Sequence, residues 1–254
     1  MIETHELHKR YGAFDAVVGL NLRVAAGQVY GFLGPNGAGK TTTIRMLTGL
    51  LRPSSGSIRL AGFDLATEPL KAKAVTGFVP DRPELFPYLS AAETLRLTAA
   101  LYGLEARSAA RRGDGLLESF GLLPWRDEAV ANFSHGMKQK LALCCALLPS
   151  PQVLILDEPL VGLDPQGGRQ VKDLLRRLAE RGLTVFLSIH TLEIAERLCD
   201  RIGILRQGRL VAEGSVDEIR AGAGGERDLE DAYLRITGEA MRLDDARLFG
   251  DGRA

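Results

Sequence analysis

The sequence predicts an α/β fold with a mainly parallel sheet, an antiparallel β-subdomain at the N-terminal end and an inserted helical subdomain. Three observations predict it. Gly34-Pro35-Asn36-Gly37-Ala38-Gly39-Lys40-Thr41 satisfies the phosphate-loop pattern G-x-x-x-x-G-K-[ST] and stands between an apolar run and a helical run. Val153 to Leu156 and Thr184 to Ile189 are short, β-branched or leucine-rich runs separated by a helical stretch, Gln170 to Arg181, as in the crossover of a parallel sheet. Between these two regions, from Ser90 to Leu148, the signal turns helical.

Residues 1 to about 87 alternate strand and turn, with strands expected at Ile2 to Leu7, Val17 to Val24, Gln28 to Leu33, Ser57 to Leu60 and Val75 to Pro80. Thr42 to Gly49 reads as the helix that follows the phosphate loop, with Gly49 near its end. Ala91 to Tyr102 and Leu116 to Leu122 carry apolar residues at helical spacing, and the arginines of Arg107 to Asp114 read as a solvated loop between them. Ser134 is a good N-cap for a helix from Gly136 to Leu148, which Pro149 stops. Pro159 and the turn Gly162-Leu163-Asp164-Pro165 hold the residues after Leu156 at a loop edge. Ile202 to Leu205 and Arg209 to Glu213, joined at Gln207-Gly208, read as a hairpin, and the tail from Ser215 holds one or two short helices with Ala221 to Gly225 as a flexible joint. No internal repeat is visible. The expected division is one domain over residues 1–220, with the helical insertion at about 88–148, followed by a short tail over 221–254.

Composition restricts the function classes. The chain has 254 residues, enough to bury a large core, and its 32 basic and 32 acidic residues leave no global field to recruit nucleic acid or anionic lipid. Cys144, Cys145 and Cys199 have no metal-type spacing and read as buried free thiols of a reducing compartment. Apolar stretches such as Leu141 to Leu148 fall well short of the roughly 18 residues that span a bilayer, and no signal-like segment opens the chain, so membrane association is expected only through a partner.

The chemistry starts at the phosphate loop. Its glycines let backbone N–H groups wrap phosphate oxygens while the following helix aims its positive end at them. Lys40 is then placed for the β- and γ-phosphates, and the Thr41 hydroxyl, with that of Thr42 beside it, for Mg²⁺. At the end of the strand Val153 to Leu156, Asp157 is placed to hold Mg²⁺ and Glu158 to take a proton from the attacking water. His190 ends the next strand, at the edge where ligands collect in parallel sheets.

Taken in order, these motifs resemble the nucleotide-binding subunits of ATP-binding cassette (ABC) transporters, over nearly the whole chain from Tyr11 to about Gly214. Gly34 to Thr42 matches the Walker A loop and Leu154 to Glu158 the Walker B strand. Ser134-His135-Gly136-Met137 matches the signature, Val161 to Asp164 the D-loop and His190 the switch histidine. The resemblance implies a P-loop NTPase core of RecA-like type, ATP and Mg²⁺ as ligands, and a head-to-tail dimer, homo- or pseudo-symmetric hetero-, in which the P-loop of one protomer and the Ser134 and Gly136 side of the other sandwich ATP. Helix physics agrees, because the start of the Gly136 helix offers free N–H groups, a hydroxyl and a positive dipole end. Tyr11 matches the aromatic that stacks on adenine, although a core-facing tyrosine is the alternative.

Two departures from the usual family pattern stand out. The commonest signature has glycine at His135 and glutamine at Met137. The Ser-His-Gly-Met-Lys-Gln-Lys version resembles subunits paired with drug, antibiotic or polysaccharide export permeases of the ABC-2 kind. A protonated His135 near the triphosphate would favour ATP-driven closure at mildly acidic pH, a hypothesis that identical pH profiles for wild type and His135→Gly would remove. Asp81 stands where the family has its Q-loop glutamine, which contacts Mg²⁺ and water; aspartate accepts hydrogen bonds and attracts the metal but cannot donate. Nearby Leu85, Phe86 and Tyr88 could line the cleft that receives a permease helix, or could pack the helical insertion.

The expected function is that of an ATPase subunit at the cytoplasmic face of the cell membrane, peripheral through a transmembrane permease of the ABC-2 type, without nucleic acid. Its tail is too short for the regulatory domain many sugar importers append, which favours export. The rivals are a soluble regulatory or mechanochemical ATPase of the same superfamily, and a nucleotide-binding scaffold with little catalysis. The first usually carries two cassettes or long coiled-coil insertions, and intact Glu158 and His190 speak against the second.

Overall fold

The computed structural model describes residues 1–226 and 228–238. Its elements run β1 (Ile2–Tyr11), β2 (Phe14–Val24), β3 (Val29–Leu33), α1 (Lys40–Leu47), β4 (Ser55–Leu60), β5 (Phe63–Asp64), α2 (Pro69–Ala74) and β6 (Thr76–Val79). The helical region follows as α3 (Ala91–Leu101), α4 (Ala106–Ser119) and α5 (His135–Leu147). The chain then returns to the sheet with β7 (Val153–Leu156), α6 (Pro165–Glu180), β8 (Thr184–Ser188), α7 (Leu192–Leu198), β9 (Arg201–Arg206) and β10 (Arg209–Gly214), and continues into α8 (Val216–Gly222) and α9 (Leu229–Thr237).

Two sheets result. The first is antiparallel, in the order β2-β1-β4-β5, and the second has the order β10-β9-β3-β8-β7-β6. All neighbours in the second sheet are parallel except the β9–β10 hairpin. Its central strands are apolar throughout because both faces are covered. Strand alternation then divides their side chains between two cores. Val29 and Leu33, Leu154 and Leu156, and Val185 and Leu187 face the helical core with Leu141, Leu143 and Leu175. Tyr30, Phe32, Val153, Ile155 and Phe186 face the core shared with the antiparallel sheet, where Ile2, Leu7 and Leu20 are fully buried. There Phe186 stacks on Tyr30 at 5.5 Å and tilts against Phe32 at 5.2 Å.

Several expectations are corrected. Arg107 to Asp114 is not a loop: it belongs to α4, which starts at Ala106 because Glu105 accepts from the N–H groups of Arg107 and Ser108 at 2.8 and 2.7 Å. The buried stripe of that helix is Ala109, Gly113 and Leu117, and two such small residues give almost no hydrophobic signal. The helix expected from Gln170 begins at Pro165, since Asp164 caps it by accepting from Gly167 N and Pro165 suits the first helical position. Short helices α2 and α7 were not foreseen. Of the segment expected as a joint, Ala221 and Gly222 close α8 and Ala223 is buried, which leaves Gly224 and Gly225 to make the turn at φ 105° and 78°. The three cysteines are free thiols, with Cys144 and Cys199 buried. The rest of the expected tail lies outside the described residues.

Candidate active site

Parallel pairing brings the C-terminal ends of β3, β8, β7 and β6 to one edge of the sheet. Four chemical segments therefore meet there: the loop Gly34–Gly39, His190, the pair Asp157–Glu158, and Asp81. Sequence distances of more than a hundred residues collapse because a crossover returns each strand in the same direction.

The loop between β3 and α1 needs its glycines. A Cβ at Gly34 would overlap the Leu205 carbonyl and one at Gly39 the Ala16 carbonyl, and both residues have φ in the left-handed region, 152° and 108°. The hairpin turn at Gly208 braces it from below: Gly208 N donates to Ala38 O at 2.9 Å, and Val18 N donates to Gly208 O at 2.8 Å. Lys40, buried, donates to the carbonyls of Gly34 at 2.6 Å and Pro35 at 3.1 Å. Burial lowers its pKa, while the charges of Glu158 and Asp157 oppose the shift.

Asp157 is also buried. Burial raises its pKa, the Ser188 hydroxyl pulls it down, the charges of Asp81 and Glu158 raise it again, and the Thr41 hydroxyl lowers it. Thr41, Asp81, Asp157 and Glu158 thus share one field, and the carboxylates there outnumber the single ammonium of Lys40. A set of hard oxygen donors with surplus negative charge suits a divalent cation such as Mg²⁺. Glu158 sits at φ 51°, rare for a side-chain-bearing residue, and its carboxylate pairs with His190 Nε2.

Ser188, the last residue of β8, holds this geometry. Its Oγ donates to Asp157 Oδ1 at 2.6 Å and accepts from Glu158 N at 2.9 Å. Residue type and spacing alone give Ser188 no role. The available signal was a hydroxyl closing the buried strand two residues before His190.

Other expected residues lie apart from this cluster. Ser134 caps α5 by accepting from Met137 N at 3.2 Å, and Gly136 abuts Leu163 and the Gly162 carbonyl. The start of α5 therefore rests on the loop after β7, where Asp164 caps α6. His135 lies against Gly162 of that loop. Tyr11, at the tip of the β1–β2 hairpin, is 47% exposed with Lys9 Nζ 5.2 Å from its ring centre, which excludes the core-facing reading. Leu85 packs on the helical core, as one of the two readings expects, whereas Phe86 and Tyr88 are exposed. Among the described residues no helix is long and apolar enough to cross a membrane.

Comparison with known proteins agrees with this geometry. The family described as ABC transporter matches residues 17–161. The daunorubicin resistance ATP-binding protein DrrA3 of Streptomyces coeruleorubidus is 44% identical over 231 residues, spanning 91% of this chain and 72% of that protein. The bacitracin transport ATP-binding protein BcrA of Bacillus licheniformis is 41% identical over 221 residues, 87% of this chain and 71% of its own. A solved ATP-binding subunit of an ABC transporter superposes with a TM-score of 0.88 at 36% identity, covering 93% of this chain and 99% of that one. A dimeric bacterial ABC transporter cassette superposes with a TM-score of 0.78 at 26% identity, covering 85% and 98%. The fold thus has its counterpart in known proteins, and the chain belongs to the ABC transporter family as an ATP-binding, ATP-hydrolysing subunit.

Proposed function

We propose that two copies of this subunit, or one copy and a related chain, close head to tail around two Mg·ATP and thereby drive a separate ABC-2 type export permease at the cytoplasmic face of the membrane. The observation that carries the proposal is the joining of Lys40, Asp157, Glu158 and His190 at one sheet edge. Gly34 to Thr42 cradle the phosphates and Tyr11 stacks on the adenine. Lys40 leaves its loop carbonyls for phosphate oxygens. Thr41, Asp157 and Asp81 would hold Mg²⁺, which when bound supplies charge neutralisation between the phosphates. Glu158 takes the proton of the attacking water, and His190, paired with it, orients that carboxylate and the γ-phosphate. Ser134, Gly136 and Met137 face the partner's nucleotide, and Asp164 lies in the loop between the two half-sites. Residues 1–220 form the ATPase domain and 221–254 the tail.

Export is supported by relatives named for daunorubicin resistance, linearmycin resistance and Nod factor export. The test is Glu158→Gln. The variant should bind ATP, lose turnover and accumulate as a dimer on sedimentation, and wild-type turnover would refute the base assignment. Co-purification of a membrane protein with the tagged chain distinguishes a transporter subunit from a soluble ATPase.

A further inference from the structure

The residue that opens α5 and the loop that follows β7 meet through a packing that neither motif explains alone. Gly162 has φ 77°, and a Cβ there would overlap His135 Cδ2 and lie 2.8 Å from Nε2. The imidazole therefore occupies the space a side chain would fill. Two further contacts run alongside it. A Cβ at Gly136 would meet Leu163 Cδ2 at 3.4 Å, and Lys140, one turn into α5, reaches Gln170 Oε1 of α6 at 3.5 Å. The start of α5 is thus laid along the whole segment from Gly162 to the first turns of α6. That segment continues directly from Asp157 and Glu158.

We infer that His135 is a positioning residue, whose ring seated on Gly162 ties the phosphate-facing start of α5 to the loop carrying this chain's own acid pair. The inference rests on the dimeric ATPase reading, in which Ser134 serves the partner's nucleotide and Glu158 serves this chain's own. A rigid link between them makes the geometry of one half-site depend on the other. The link is steric, so it needs a flat ring at position 135 and no side chain at position 162.

The experiment is a double-mutant cycle on the full chain with its transport partner, using His135→Gly, Gly162→Ala and both together, with His135→Phe as the conservative variant. Turnover is read by phosphate release across MgATP concentrations, and folding by thermal melting. Gly162→Ala is expected to lower kcat about tenfold with KM within about twofold in the presence of His135, and about threefold or less in the His135→Gly background, because the ring to be displaced is gone. His135→Phe is expected to keep at least half of wild-type kcat. Equal losses from Gly162→Ala in both backgrounds, or a His135→Phe variant as impaired as His135→Gly, would overturn the inference. A melting loss that tracks the kcat loss across all variants would reduce the contact to a structural one and also overturn it. Failure of the ATPase reading looks different: turnover would survive Lys40→Ala, which the cycle does not touch.

Discussion

Replacing Ser188 by alanine removes one oxygen that two hydrogen bonds share. The hydroxyl is fully buried, donates to the Asp157 carboxylate at 2.6 Å and accepts from the Glu158 N–H at 2.9 Å. A bond to a charged group contributes about 1.5–3 kcal/mol and a neutral one about 0.5–1.5 kcal/mol, so the loss should be about 2–4 kcal/mol. For a chain of this size each kcal/mol moves the melting temperature by about 2–4 °C, which predicts a fall of about 4–16 °C. Catalysis should suffer separately. The Glu158 backbone sits at φ 51°, a conformation that persists only where neighbours enforce it, and without the Ser188 bond its carboxylate drifts from the attacking water. Misplacement on the ångström scale costs up to about 100-fold, so kcat should fall about 10- to 100-fold with ATP affinity unchanged. The pH profile gives an independent readout. In the metal-free protein the Ser188 hydroxyl pulls the raised Asp157 pKa down, so its removal lets that pKa climb, and the melting temperatures of variant and wild type compared across pH without Mg²⁺ read that change. The assays are circular dichroism melting and phosphate release between pH 5 and 8. A melting temperature within about 1 °C and a kcat within about twofold of wild type would refute the assignment of Ser188 as the brace of the acid pair.

Asp157→Asn should stabilise the nucleotide-free protein while abolishing Mg²⁺-dependent turnover. Because the folded-state pKa of Asp157 is raised, the folded protein binds more protons than the unfolded one, and this group's contribution to stability falls as pH rises through that window. The melting advantage of the variant should therefore be large at pH 7 and shrink toward pH 4, and an advantage independent of pH would contradict the argument. Gln139, on the buried face of α5, has both amide atoms buried with no hydrogen-bond partner among the described residues. Gln139→Met, close in volume, removes a desolvation penalty of about 1–3 kcal/mol and should raise the melting temperature; a drop of more than about 3 °C would show that the amide is paired.

The legible parts of this molecule are those whose signal is local. Strands buried on both faces, such as β3 and β7, announce themselves by unbroken apolar runs, and the glycines of the phosphate loop by a spacing that only a tight turn uses. Ser134 is a helix cap, which short-range backbone chemistry makes readable, whereas Asp164, the cap of α6, reads as part of a turn and the helix is expected only from Gln170. The first part of α4 reads as a loop, with helix expected only from Leu116, because its buried stripe includes Ala109 and Gly113, whose small surfaces contribute little hydrophobic signal. Gly113, for instance, lets α3 come close: a Cβ there would lie 3.2 Å from Leu95 Cδ1.

The sequence by itself determined which residues are candidates for the chemistry: the lysine and threonine of the phosphate loop, the strand-end acids and the histidine that follows the next strand. These are set by residue type and spacing, which the linear chain displays. Tertiary structure decided how they are held. That Ser188 serves both Asp157 and Glu158, that the Gly208 turn underlies the phosphate loop, and that His135 seats on Gly162 all depend on side chains from strands and loops brought side by side by parallel crossovers. Such contacts follow from sheet order and register rather than from any local pattern, so only the folded chain reveals them.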